Sequence, residues 1–177
     1  MSRRNFASAA RPLDRSALDA LAIAYLGRYA TTCARLRDYL ARKVASRGWD
    51  GEDAPPIEEV VERCAELGYV DDAGFAAARG AALTRRGYGE QRVAAALRAV
   101  GIDAETAMPA RAAARDNALA AALAFARRRR IGPYGSESIG LDDRRRHFAA
   151  LLRAGHAPDI ARLVAYAESG ASLTEDE

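Results

Sequence analysis

A chain of 177 residues with 27 Lys and Arg against 24 Asp and Glu carries a net charge of +3, too small to mark a nucleic-acid binder by itself. Half of the residues are apolar but only 7% are aromatic; alanine and leucine fill the apolar positions and β-branched residues are thin, which excludes long sheets and leaves helices nearly throughout. No run approaches the roughly 20 apolar residues of a membrane span, and the opening MSRRNFASAARP lacks the apolar core of a signal peptide, so a cytoplasmic protein without a membrane partner is expected.

Residues 1–15 are expected to form a disordered arm. The first helix follows Ser16, where SALD has the form of a capping box with Asp19 placed to reach back. Leu18, Leu21, Ala22, Tyr25, Leu26 and Tyr29 then form one apolar stripe. Thr31-Thr32 breaks the pattern, Leu36, Tyr39, Leu40 and Val44 resume it, and Gly48 stops it. After the linker WDGEDAPP, Pro55-Pro56 suits the entry to a third helix in which Ile57, Val60, Val61, Cys64 and Leu67 share a face up to Gly68.

Asp71 or Asp72 can cap a fourth helix carrying Phe75, Ala78, Ala82 and Leu83 and closed by Gly87. A fifth, from about Glu90, turns Val93, Leu97 and Val100 inward and stops at Gly101. Asp103 suits the cap of a short sixth helix that ends near Pro109, or Pro109 starts the next one. The seventh is alanine-rich, with Leu119, Leu123 and Phe125, and ends in Arg127-Arg128-Arg129-Arg130. The loop IGPYGSESIGL leads to an eighth helix from about Asp142, with Phe148, Leu151 and Leu152 inward up to Gly155, and a ninth with Ile160, Leu163 and Val164 on one side. The tail SGASLTEDE is expected to be loose.

An internal repeat organises these elements. Val44-x-x-x-Gly48, Leu97-x-x-x-Gly101 and Leu151-x-x-x-Gly155 recur at nearly constant spacing. Three tandem three-helix modules follow, at 16–68, 69–111 and 112–169, with the tail at 170–177. Modules too small to bury their own cores lean on their neighbours, which predicts an elongated, curved, all-α helical repeat.

Charge is distributed unevenly. From Asp50 to Asp72 nine acids face one arginine, and from Arg111 to Arg153 ten arginines face four acids. Such a chain either orients on a charged partner or carries two solvated surfaces. The basic groups are Arg85, Arg86, Arg92, Arg98, then Arg127, Arg128, Arg129 and Arg130, then Arg144, Arg145 and Arg146. Four consecutive arginines span every direction of a helix, so one is desolvated unless the helix frays or a partner meets it. Clusters of this kind suit phosphate or carboxylate, and cations at helix C-termini are also favourable without any ligand.

Nothing in the chain has the pattern of a catalytic set. Cys33 and Cys64 lie far apart without CxxC spacing and read as buried free thiols. His147 and His156 have no cysteine or acid at ligand or triad spacing and read as structural or solvent-exposed. Gly87-Tyr88-Gly89 lacks the Lys-Ser/Thr of a phosphate-binding loop and reads as a helix connection. The pair Asp71-Asp72 is explained by an N-cap. No enzyme, metal or cofactor is expected.

The stretch Glu66 to Ala76, ELGYVDDAGFA, resembles the "LGYLDDxxFA" motif of the RecX family, through Gly68, Tyr69, Asp71, Asp72 and Phe75. Arg85 to Val93, with Gly87, followed by Leu97 and Gly101-Ile102, is similar to the family's "RxxGxxRIxxELxxKGI". FARRRRIGPY, from Phe125 to Tyr134, resembles members from high-GC bacteria. The pattern departs at Ala96, at Ala99-Val100 and at Ala154-Gly155-His156, where an acid, a basic residue and "RGF" are usual. The resemblance implies a nine-helix, three-repeat regulator that lies in the groove of a RecA–DNA filament, as a monomer contacting DNA without sequence preference. It implies modulation, in the inhibitory direction, of RecA ATPase, strand exchange and coprotease activity in homologous recombination, DNA repair and the SOS response. A sequence-independent DNA-binding helical repeat is the alternative.

Overall fold

The computed structural model describes residues 11–136 and 140–173. The expected looseness of residues 1–10 and 174–177 lies outside the described residues. Nine α-helices occur among those described: α1 (Arg15–Leu26), α2 (Cys33–Arg47), α3 (Ile57–Glu66), α4 (Asp72–Arg85), α5 (Glu90–Arg98), α6 (Met108–Asp116), α7 (Ala118–Arg129), α8 (Leu141–Arg153) and α9 (Pro158–Tyr166). The only extended pairing among them is one isolated bridge between Leu13 and Trp49, so the all-α expectation holds. No helix among the described residues is long and apolar enough to cross a membrane.

The chain divides into two units, residues 1–72 and 73–177. In the first, α1–α3 enclose Leu18, Ala22, Leu36, Leu40, Val60, Val61 and Cys64. Its N-terminal edge differs from the sequence expectation. Residues 13–15, assigned to the loose arm, are ordered: Leu13 is wholly buried and bonds backbone to backbone with Gly48 and Asp50, each at 2.9 Å. Asp14, not Ser16, caps α1, with its carboxylate accepting from the Ala17 N–H at 2.7 Å. Leu13 and Leu18 thereby take the two positions of a hydrophobic staple. Tyr29 is 58% exposed because α1 ends at Leu26, before the stripe reaches it.

At the start of α2 the Thr32 hydroxyl accepts from the Arg35 N–H at 3.2 Å, and the Asp72 carboxylate accepts from the Cys33 N–H at 2.9 Å. Asp72 therefore serves a helix distant in sequence rather than the N-cap of α4. Burial, and then the Asp72 charge, pushes the Cys33 thiol up, away from the reactive thiolate. Part of the acidic stretch is neutralised locally: Glu58 pairs with Arg37 at 2.6 Å and Glu59 with Arg15 at 2.8 Å. Leu67, expected inward, is 58% exposed, since it is the C-cap of α3 just before Gly68 turns left-handed (φ +72°).

In the second unit the buried residues form two clusters, one on α4–α6 and one on α7–α9. The inward stripe of α4 is Ala76, Gly80 and Leu83, and Ala78 is exposed. Gly80 is chosen for closeness: a Cβ there would stand 3.1 Å from the Ala110 Cβ of α6 and 3.4 Å from Val93 of α5. Asp103 caps a turn, accepting from the Thr106 N–H at 2.8 Å, and α6 begins only at Met108 with Pro109 in its first turn. The second of the two Pro109 alternatives is the one observed. The expected module edge at 111 thus falls inside α6, whose Ala110 and Ala114 pack with α4 and α5. On α9 the buried positions are Ala161, Val164 and Ala165; Leu163, at 45% exposure, points out. The loop after α7 opens with a packed 3-10 turn, Gly132–Tyr134, in which Gly132 and Pro133 are buried, while its residues 137–139 lie outside the described set.

The repeat is visible in the backbone. Gly48, Gly101 and Gly155, after α2, α5 and α8, all have positive φ, at 85°, 79° and 90°. A left-handed residue after each middle helix suits glycine alone without strain.

Candidate functional site

The site is built on a junction of glycines. After α4, Gly87 turns left-handed (φ +78°), and a Cβ on it would stand 2.6 Å from the Phe125 nitrogen of α7. Gly89 presses on the other side: a Cβ there would collide with the Gly155 carbonyl and stand 2.6 Å from the His156 nitrogen. Gly155 in turn lies against Arg92, whose Cβ is 2.7 Å from where its own would be. With no side chains between them, the backbones bond directly. Gly89 N–H donates to the Ala154 carbonyl at 3.0 Å and Gln91 N–H to the Gly155 carbonyl at 3.1 Å. The two carbonyls that follow α8 thus satisfy donors at the start of α5, groups that a helix cannot satisfy within itself. The connection predicted for Gly87-Tyr88-Gly89 is also a docking point.

His156 seals this junction. It is wholly buried, its Nε2 is 3.1 Å from the Gly87 carbonyl, and its ring meets Phe125 edge-on with centroids 6.1 Å apart. Because Nε2–H donates to a carbonyl, Nδ1 is the bare nitrogen, and it is buried with no partner among the described residues. Charging the ring would bury a second N–H with no acceptor. Burial accordingly pushes the His156 pKa down, against a smaller upward effect of the Gly87 bond. A folded pKa below the unfolded value of about 6.5 means that the ring's contribution to stability is complete above that pH and is lost as pH falls through the lowered value. We therefore expect the unfolding free energy from urea titration to fall between pH 7 and pH 5, by up to about 1.4 kcal/mol per pH unit, with a shallower fall in His156→Gln.

The junction gathers arginines from three helices. Arg92 of α5, Arg128 and Arg129 of α7 and Arg153 of α8 line a pocket of about 500 Å3, together with Tyr88 and Phe125. The Arg92 guanidinium lies 5.9 Å from the Tyr88 ring centre and that of Arg129 lies 5.7 Å from Phe125, contacts that restrain both side chains. None of the four is in an ion pair among the described residues, and no acid lines the pocket. Four converging, exposed guanidiniums with no internal counter-charge suit an anion with several oxygens, such as a phosphate.

Three of the sequence-predicted arginines, Arg92, Arg128 and Arg129, are brought together here, and the others are not. Arg85 borders an alanine-lined groove between α4 and α6. Arg86 and Arg98 are exposed and line neither pocket. Arg127 stacks 5.0 Å from the Tyr134 ring, and Arg130 terminates α7 in a left-handed conformation (φ 54°). The helix ends inside the run of four, so all four reach solvent and the expected desolvation does not arise. Arg144 donates to the Tyr166 carbonyl, while Arg145 and Arg146 pair with Asp142 and Asp143 one turn back, at 3.2 and 2.9 Å. Arg153 and Tyr88 are not among the contact residues expected from the sequence. Arg153 stands alone in a last turn, and only the backbone junction turns it toward Arg92.

Leu97 is wholly buried, Phe75 is half-buried, and Gly68, Gly87 and Gly101 hold positive φ, while Tyr69 is 56% exposed. Among the described residues no three His, Cys, Asp or Glu side chains are grouped to hold a metal ion.

No family model matches the chain. It is 30% identical over 162 residues to a regulatory protein RecX of Myxococcus xanthus, an alignment covering 87% of each chain. A regulatory protein RecX of Deinococcus radiodurans is 42% identical over 95 residues, which is 54% of this chain and 42% of that relative. Among solved structures, RecX from Lactobacillus salivarius aligns with a TM-score of 0.64 at 21% identity, over 84% of this chain and 92% of that one, a likeness of fold.

Proposed function

Because the chain belongs to the RecX family of regulatory proteins, we propose that it binds the RecA–DNA filament and inhibits RecA ATPase, strand exchange and coprotease activity. The observation that carries this reading is the alignment spanning 87% of both chains with a RecX protein. The pocket of Arg92, Arg128, Arg129 and Arg153 supplies a means, since it offers forked donors to the phosphates that a filament exposes. Its contacts read no bases. In this reading the protein is a cytoplasmic monomer without catalytic chemistry. In the same reading the chain is three three-helix modules, α1–α3, α4–α6 and α7–α9, a division that the three clusters of buried residues support.

The test is titration of the protein into RecA turning over ATP on single-stranded DNA. Turnover is expected to fall with saturation; a flat response at saturating protein would refute the proposal. The unpaired arginines also favour a second reading, sequence-independent binding of free DNA. Gel shifts with and without RecA separate the two, because the second requires naked DNA to be bound as tightly as the filament.

A further inference from the structure

The tyrosines of the first unit form a cleft of different chemistry. α1 supplies Tyr25, the turn after it supplies Arg28 and Tyr29, and α2 supplies Tyr39; with Leu21 and Ala24 they line about 520 Å3. Tyr25 and Tyr39 stack with centroids 4.2 Å apart and planes 16° apart. Lys43 stands 5.5 Å from the Tyr39 ring centre. Tyr29 leans on Tyr25 at 5.3 Å and 46° and keeps 58% of its surface in solvent.

Core packing accounts for only part of this arrangement. Tyr25 and Tyr39 rest against the buried cluster of the unit, but Tyr29 is not among the residues packed on it. A quaternary ammonium, a proline-rich segment and an unpaired nucleobase all suit tyrosine clusters. Arg28 and Lys43 repel the first. A proline-rich segment would use the rings and leave the cations without a role. A nucleotide uses both, the base on a ring and the phosphate at a cation. The α2 surface continues the same chemistry, since Arg35, Tyr39 and Arg42 at i, i+4 and i+7 share one side of the helix. Arg35 and Arg42 are exposed and in no ion pair among the described residues, and Asp38 is the single acid of the helix.

We propose that this cleft binds an unpaired stretch of nucleic acid, with a base stacked on Tyr29 and the flanking phosphates met by Arg28, Arg42 and Lys43. The inference rests on the reading of the protein as one that meets DNA. It adds a base-contacting site to the phosphate-contacting pocket of the other unit.

The test compares a short fluorescein-labelled oligothymidylate with an abasic strand of equal length, both bound to the full chain. The oligothymidylate is expected to bind about tenfold more tightly, the difference that stacking supplies. Tyr29→Ala, at an exposed position outside the core, removes that difference and leaves abasic binding unchanged, whereas Tyr29→Phe retains it. Equal binding of the two strands by the unsubstituted protein overturns the proposal. So does a difference that survives in Tyr29→Ala, or displacement of the oligothymidylate by a proline-rich peptide. RecA turnover is read on the same samples. Equal strand binding with RecA still inhibited defeats the base site alone; strand discrimination with a flat RecA response supports the base site and defeats the filament reading alone.

Discussion

Gly89→Ala is expected to lower the stability of the second unit by about 3 kcal/mol or more, as overpacking is joined by the loss of buried hydrogen bonds. The backbone conformation at Gly89 (φ −79°, ψ 171°) is open to any residue, so the penalty is one of space alone. Its Cβ would strike the Gly155 carbonyl and the His156 nitrogen, which are backbone atoms and cannot step aside as a side chain can. α5 and α8 must separate, and the bonds from Gly89 N–H to Ala154 and from Gln91 N–H to Gly155 go with them. Gly68 is the control, because it has positive φ but nothing within 4 Å of a would-be Cβ. Gly68→Ala is expected to cost only the left-handed penalty, about 1 kcal/mol. Urea unfolding of both variants checks the pair; a cost at Gly89 no larger than that at Gly68 would mean that the junction shifts to admit a methyl group without losing its hydrogen bonds.

Replacing Arg92, Arg128, Arg129 and Arg153 together with alanine is expected to weaken filament binding at low salt by about 100-fold or more. Every arginine that neutralises a phosphate adds about 0.7 to 0.9 to the slope of log affinity against log salt, so the quadruple variant should show a slope shallower by about 3. These side chains are exposed, and their removal leaves the junction beneath them intact. The matched control is Arg145→Ala with Arg146→Ala, two cations already paired with Asp142 and Asp143 on their own helix. That double variant should change affinity and salt slope far less than the quadruple one, because each cation is already offset by a carboxylate on its own helix. Arrays of RecA-coated single-stranded DNA at several salt concentrations measure both. An unchanged slope in the quadruple variant would remove the pocket from the interface.

How far the residues announced this architecture depends on what each position had to signal. Periodicity marked α1–α5 and α7–α9, and the repeated glycines foretold the left-handed stops of α2, α5 and α8. The misses have physical reasons. Gly80 counts as no hydrophobe, so the true face of α4 was hidden behind its closest approach, and Ala161 and Ala165 were outranked by Leu163 on apolarity although they face the core. Asp14 was overlooked as the cap of α1 because Ser16 and Asp19 offered a more familiar pattern two residues later. For the site, the arginines of α5 and α7 were legible as clusters. Their convergence with Arg153 was not, since it is created by backbone bonds between segments 65 or so residues apart, and no local pattern encodes such a meeting. The tyrosines were legible only as a stripe, and the end of α1 is what released Tyr29 from it.

The hydrogen bonds of Gly89 and Gln91 to the residues after α8 close a long loop of chain, a meeting of high sequence separation that closure entropy opposes. Helices are local and can persist when such a closure opens. If this closure opens while the helices persist, the convergence of the four arginines is expected to be lost first. Far-UV ellipticity would then still report helices after the four arginines had ceased to converge, and affinity for inorganic phosphate is the measurement expected to register that loss.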